Sequence, residues 1–102
     1  MAEIERREQI TLNGEVVGVI GGYSNYINCL FVKPEHRRKG LAREAVLKFV
    51  EGNLDKGIKI HILNNNAEGI AFFNSVFELN IVYKSEIDTL YEILGINKEN
   101  EG

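Results

Sequence analysis

In 102 residues the chain has one cysteine, one proline, one methionine and no tryptophan, and the scarcity of cysteine excludes most. The single thiol, Cys29, rules out an internal disulfide and a cysteine zinc cluster. Its setting in an apolar run predicts a buried structural thiol, and no metal site is expected. No run approaches the roughly 18 consecutive apolar residues of a membrane span, and the start Met1-Ala2-Glu3-Ile4-Glu5-Arg6-Arg7 is too polar for the apolar core of a signal peptide. A cytoplasmic chain without a membrane partner is expected. Strong charge of one sign is missing too: the formal net charge is −3, so nucleic acid is not an expected partner. With 44% hydrophobic and 26% charged residues, the length suits one small core. The reading is a single domain over 1–96, followed by a polar, disordered tail over 97–102.

What is there is a local concentration of positive charge. Lys33, Arg37, Arg38, Lys39 and Arg43 lie between positions 33 and 43, as a small polyanionic ligand would require. They sit in Val32 to Val50, VKPEHRRKGLAREAVLKFV, which reads as a strand end, a basic loop closing on Gly40 and an amphipathic helix. The first N–H groups of a helix have no intrahelical partner and carry the positive end of its dipole, so phosphate oxygens bind there. Gly40 allows close approach of the backbone, and Arg37, Arg38 and Lys39 add full charges.

Along the rest of the chain, 4–12 alternates loosely and ends at Asn13-Gly14, a strong hairpin signal. Its second arm, Glu15 to Tyr23, is apolar on both faces, and Gly21-Gly22 with Ser24-Asn25 brackets another turn. Tyr26 to Val32 reads as a buried strand ended by Pro34. Leu41, Ala42, Ala45, Val46, Phe49 and Val50 then form one helical stripe. Ile58 to Leu63 is a strand, Asn64-Asn65-Asn66 caps a helix over Ala67 to Phe77, and Leu79 to Tyr83 and Thr89 to Leu94 are strands about a turn near Ser85. Strand, helix, strand with short links implies parallel pairing of the flanking strands. The result is an α/β fold on a mixed sheet, in the order β-β-β-α-β-α-β-β.

Written as Arg37-x-x-Gly40-x-Ala42, the basic loop resembles the acyl-CoA pyrophosphate loop of the Gcn5-related N-acetyltransferase (GNAT) superfamily, Gln/Arg-x-x-Gly-x-Gly/Ala. Leu30-Phe31-Val32, Pro34-Glu35 and the following helix also sit where that family has them. The resemblance implies the GNAT fold from its second strand onward, without the family's first strand and two N-terminal helices. It also implies acetyl-CoA or another acyl-CoA as cofactor and an amine acceptor, small molecule or protein. The pantetheine arm would pair with the backbone of Leu30, Phe31 and Val32, and the Leu30 N–H would polarise the thioester carbonyl. The pyrophosphate would rest on Arg37, Arg38, Lys39, Gly40, Leu41 and Ala42. Aligning Asn66 to Phe73 with the family's Asn-x-x-Ala-x-x-Leu-Tyr segment makes Asn66 a cofactor contact. It also puts Phe73, which has no proton to give, at the usual acidic tyrosine, and Phe77-Glu78 replaces the usual Gly-Phe.

The catalytic base is less marked. Tyr26 falls where histone-type members carry a glutamate, yet a phenol of pKa ~10 is a poor base at neutral pH. His61 alternates with Ile60 and Ile62 as an ordinary sheet-face histidine does, His36 suits phosphate or solvent, and Glu3 and Glu5 serve only if the first strand borders the cleft. A water-relayed base, or an amine arriving neutral, fits as well. The function expected is acetyl transfer from acetyl-CoA to an amine by direct attack. The alternative is a catalytically inactive CoA-binding or protein-interaction module of the same fold. Hydrophobic strands at the chain's ends, and an open acceptor side, predict a homodimer or a large acceptor.

Overall fold

Asn13 and Gly14 adopt positive φ, 53° and 82°, as a two-residue hairpin turn demands, and fold β1 (Arg6–Leu12) antiparallel on β2 (Glu15–Tyr23). The computed structural model describes residues 5–23 and 25–97; Glu3, Ser24 of the expected turn and 98–102 of the expected tail lie outside them. β3 (Tyr26–Val32) runs antiparallel to β2 and ends at a 3₁₀ turn over Pro34–His36. Helix α1 (Leu41–Val50) returns the chain to β4 (Lys59–Leu63), which lies parallel to β3. After α2 (Ala67–Val76), β5 (Phe77–Lys84) and β6 (Asp88–Ile96) form an antiparallel pair, and β6 inserts beside β4. The six strands take the order β1-β2-β3-β4-β6-β5, the mixed sheet expected from the sequence.

Both helices cover one face. Val46, Phe49 and Val50 of α1 and Phe73 and Val76 of α2 join Ile20, Ile27, Ile60, Ile62 and Ile93 in a single buried cluster. Burying a side chain such as Phe49 contributes roughly 1.5–3 kcal/mol. Arg6 ties the β1 edge to this helix: its guanidinium lies 3.9 Å from the Phe49 ring centroid and donates to the Phe49 carbonyl at 2.9 Å. The alternate residues of β4, Lys59, His61 and Leu63, point to the opposite face, over which no helix packs among the described residues.

Three local expectations change. Helix α2 stops at Val76 because Phe77 is already extended, φ −125° and ψ 154°, and opens β5 without a loop. In β3, Gly21 pairs with Cys29 and Gly22 with Ile27, so Asn28 is a bulge that puts Ile27 and Leu30 on the same side. Cys29 is consequently half-buried on the helix-free face instead of being a buried core thiol. Asn97, placed by the sequence at the start of the tail, donates from its backbone to Val76 O at 2.8 Å and from its side chain to Asn74 O at 3.3 Å.

Candidate active site

Parallel pairing between β3 and β4 lasts for only two positions, Tyr26 with Lys59 and Ile27 with Ile60. β4 continues to Leu63 on β6, and β3 continues to Val32 on β2, so the two strands diverge. Among the described residues, Asn28 to Val32 therefore have no strand partner on the β4 side, and a cleft of about 950 Å³ opens there. The bulge at Asn28 turns β3 at the point where the strands part. An unpaired strand edge lining a cleft can bond an extended ligand as an added strand would.

The mouth of this cleft is formed by the basic loop and two helix N-termini. Gly40 sits before α1 at φ 80°, a left-handed conformation that side-chain-bearing residues adopt at a cost. A Cβ there would meet nothing within 4 Å, so backbone geometry, not crowding by this chain, selects glycine. Arg38, at φ 64°, shares that conformation and is exposed. Among the described residues it makes no hydrogen bond or ion pair, which leaves its guanidinium to the solvent at the cleft. Arg37 is more committed: Nε donates to Val32 O at 2.9 Å, and its guanidinium lies 5.7 Å from the Phe31 ring centroid and 3.9 Å from Glu68 Oε1. It latches the β3 end to the loop and reaches toward α2. Lys39 does not line the cleft; its ammonium lies 3.4 Å from His36 Nδ1, while His36 Nε2 lies 3.7 Å from Glu15 Oε1.

Asn66 caps α2 through Oδ1, which accepts from Gly69 N at 2.9 Å, and it also lines the cleft. Gly69 must be small at this cap, since a Cβ would lie 2.5 Å from the Asn66 side-chain nitrogen. Leu30, Phe31 and Val32, with Leu41 and Ala42, border the same space. Phe73 does too, although its 6% exposure makes it mainly a core residue, edge-on to Phe72 at 5.1 Å. Of the residues that the sequence assigned to the cofactor, only Lys39 falls outside the lining, and Tyr26 falls outside it as well.

Tyr26 lies at the pinned end of the cleft. Burial, and then the negative charge of Asp88, push its phenol above the ordinary value, which keeps it protonated at neutral pH and unsuited to act as a base. Glu5 is exposed one residue before β1, a strand that β2 separates from the cleft. Sequence reasoning passed over a different pair. His61 Nε2 lies 2.6 Å from Asp88 Oδ2, and hydrogen bonds from Ser85 and then from His61 hold the Asp88 carboxyl below the usual range. The residues are 27 positions apart, so no local pattern signalled the contact.

A mixed sheet opening between two parallel strands, with a glycine-led helix N-terminus at the mouth, is the fold of the acyl-CoA N-acyltransferases. The family model for the Acetyltransferase (GNAT) family matches residues 7–77, and the chain belongs to that family. Among solved structures it is similar to an acetyltransferase from Thermus thermophilus, with TM-score 0.74 and 22% identity over 86% of this chain and 62% of that one. The PaiA N-acetyltransferase from Thermoplasma acidophilum, in complex with coenzyme A, gives TM-score 0.70 and 18% identity over 87% and 60%. For the ribosomal-protein-S18-alanine N-acetyltransferase from Escherichia coli the values are 0.64 and 18%, over 98% and 76%. The chain thus spans under two thirds of the first two proteins' length. No curated protein sequence matches it.

Proposed function

We propose that the chain is an acyl-CoA-dependent N-acyltransferase that moves acetyl from acetyl-CoA to an amine, by direct attack on the thioester. The observation that carries this reading is the two-position pairing of β3 with β4 and the unpaired strand edge beyond it. Pantetheine would lie along Leu30 to Val32, with the Leu30 N–H on the thioester oxygen, and the pyrophosphate would rest on Arg37 to Ala42. Arg38 is the cation most available for it, whereas Arg37 and Lys39 already have neighbours within the fold. Asn66 keeps its amide nitrogen for the cofactor while its oxygen caps α2.

The acceptor side is open because the helix-free face borders the cleft, which suits either a large acceptor, such as a protein amine, or closure by a second subunit. Among the described residues no helix is long and apolar enough to cross a membrane, and a cytoplasmic setting belongs to the same reading. A second reading, a CoA-binding module without turnover, is favoured by one observation: Phe73 stands buried where a proton donor would be expected. Calorimetry with CoA, paired with thiol release from acetyl-CoA in the presence of amines, separates the two. Binding with turnover supports the enzyme, binding without turnover supports the module, and no binding removes both.

A further inference from the structure

His61 and Asp88 meet across β4 and β6 on the helix-free face, beside the opening between β3 and β4. Asp88 is itself fixed. Ser85 Oγ donates to Asp88 Oδ1 at 2.6 Å, while the N–H groups of Ile87 and Asp88 donate to Ser85 Oγ at 3.0 and 3.1 Å. An ionised carboxylate only accepts hydrogen bonds, so at the 2.6 Å contact the His61 hydrogen is on Nε2. The lone pair is then on Nδ1, to which no hydrogen bond is made among the described residues. The His61 side chain is 38% exposed and lines the cleft together with Leu30. One ring nitrogen fastened to a held carboxylate and the other unbonded among the described residues, on a half-exposed side chain that borders a cleft, is the arrangement of a general base.

We infer that His61 is the catalytic base that takes the proton of the attacking amine, with Asp88 as the positioning residue that fixes its ring and tautomer. The inference rests on the N-acyltransferase reading. In the step, the amine nitrogen's electron pair attacks the thioester carbonyl carbon, and the C–N bond forms. The nitrogen's surplus proton passes to His61 Nδ1, the C–S bond breaks, and the sulfur leaves as a thiolate that water protonates. His61 then returns its proton to solvent. Nothing is oxidised or reduced.

Among the described residues, His36, Arg37, Arg38, Arg43 and Glu68 line the rest of the cleft. Along β4 the neighbours of His61 on this face are Lys59 and Leu63, and Lys59 Nζ donates to Gly57 O at 2.9 Å. Across on β6 are Asp88, Leu90 and Glu92. From β3 comes Tyr26, paired with Lys59 and within the electrostatic reach of Asp88. Tyr26, which lies outside the cleft lining and stays protonated at neutral pH, does not compete for the proton.

The test follows thiol release from acetyl-CoA across the neutral pH range. The acceptor probes are a short alkyl diamine, a peptide with a free α-amine and an N-blocked lysine peptide. For the wild type, kcat/KM referred to the neutral amine should rise with pH as the base loses its proton. His61→Gln should lower kcat/KM by ~10²-fold or more and flatten that rise. Asp88→Asn should lower it ~10-fold or more with the rise displaced, as loss of an orienting partner does. Imidazole added to His61→Ala should restore part of the rate, and CoA affinity by calorimetry should stay within about twofold throughout, showing that each variant folds. Turnover by His61→Gln at the wild-type rate and with the wild-type pH profile overturns the base and leaves the N-acyltransferase standing. A wild type that binds CoA but releases no thiol above the buffer rate with any probe removes the enzymatic reading and His61 with it.

Discussion

Thr89 Oγ1 donates to Asn64 Oδ1 at 2.6 Å, a side-chain tie added to the backbone ladder that joins the end of β4, one wall of the cleft, to the start of β6. Asn64 makes two further bonds: Nδ2 donates to Ser85 O at 2.8 Å, and its backbone N–H donates to Ile87 O at 2.8 Å. Thr89 is the one buried polar side chain among the described residues, at 1% exposure. Thr89→Val keeps the shape and removes the donor, leaving Asn64 Oδ1 without its partner in a half-buried site. Unfolding in urea should show a loss of about 1–3 kcal/mol. A change below ~0.5 kcal/mol would mean that water replaces the hydroxyl without penalty.

The basic loop supports a paired prediction. Arg38→Glu should weaken CoA binding about tenfold, ~1.4 kcal/mol, by turning an attraction to phosphate into a repulsion. Because Arg38 is exposed and makes no bond among the described residues, stability should hardly move. Gly40→Val should lower both affinity and stability, the latter by roughly 1–2 kcal/mol, because φ 80° is costly for a β-branched residue. Calorimetry on both variants with unchanged affinity would dispose of the phosphate-loop assignment.

That loop was legible because it is local: strand end, Arg37, Gly40 and helix start are contiguous, and each has its own signature in the chain. The two-position pairing of β3 and β4 was not legible, because divergence of two strands leaves no period in either; family resemblance gave only a backbone edge at Leu30 to Val32 left for pantetheine. The Asn28 bulge was missed for a related reason. Alternation along Tyr26 to Val32 gives no sign of one extra residue until the partner strand fixes the register. His61 alternated as any sheet-face histidine would, and its importance lies in Asp88, brought beside it by the insertion of β6 next to β4. Apolar Ile81, Val82 and Tyr83 identified a strand but not its exposure, which follows from its place at the sheet edge.

The edge position of β5 bears on assembly. Ile81, Val82 and Tyr83 are 54%, 47% and 58% exposed on a strand whose outer backbone groups have no partner strand among the described residues. Such an edge invites pairing, and we expect a homodimer that joins two β5 strands. Val82→Lys should give a monomer by light scattering with CoA affinity retained. A wild-type monomer sinks the proposal.

Asp88 and Tyr26 make opposite contributions to the pH dependence of stability. The Asp88 carboxyl is held low by Ser85 and then His61. Its contribution is therefore complete above the unfolded value of ~3.9 and lost as pH falls through the lower, folded value. The Tyr26 phenol is raised by burial and then by Asp88. Its contribution is complete below ~10 and lost as pH rises through the higher, folded value. Thermal midpoints should show the gap between wild type and Asp88→Asn closing on acidification below pH ~4, and Tyr26→Phe losing its share of the alkaline decline. A gap that stays constant in acid would mean that Asp88 is not held low.

The last prediction concerns Phe73, buried at 6% exposure yet bordering the cleft. A CoA thiolate resembles a cysteine thiolate, with pKa ~8.5, so it leaves readily and takes its proton from water afterwards. General-acid catalysis contributes ~10²–10⁴ where the leaving group is poor, but here amine attack and deprotonation should limit the rate. Restoring a hydroxyl by Phe73→Tyr should therefore change kcat by less than about tenfold. Because the ring belongs to the core cluster, the added oxygen must reach the cleft or cost about 1–3 kcal/mol of stability. Thermal unfolding distinguishes those cases independently of turnover. A rise of ~10² or more in kcat would show that protonation of the leaving sulfur had been limiting, and that the chain had carried an otherwise competent site crippled by the loss of its acid.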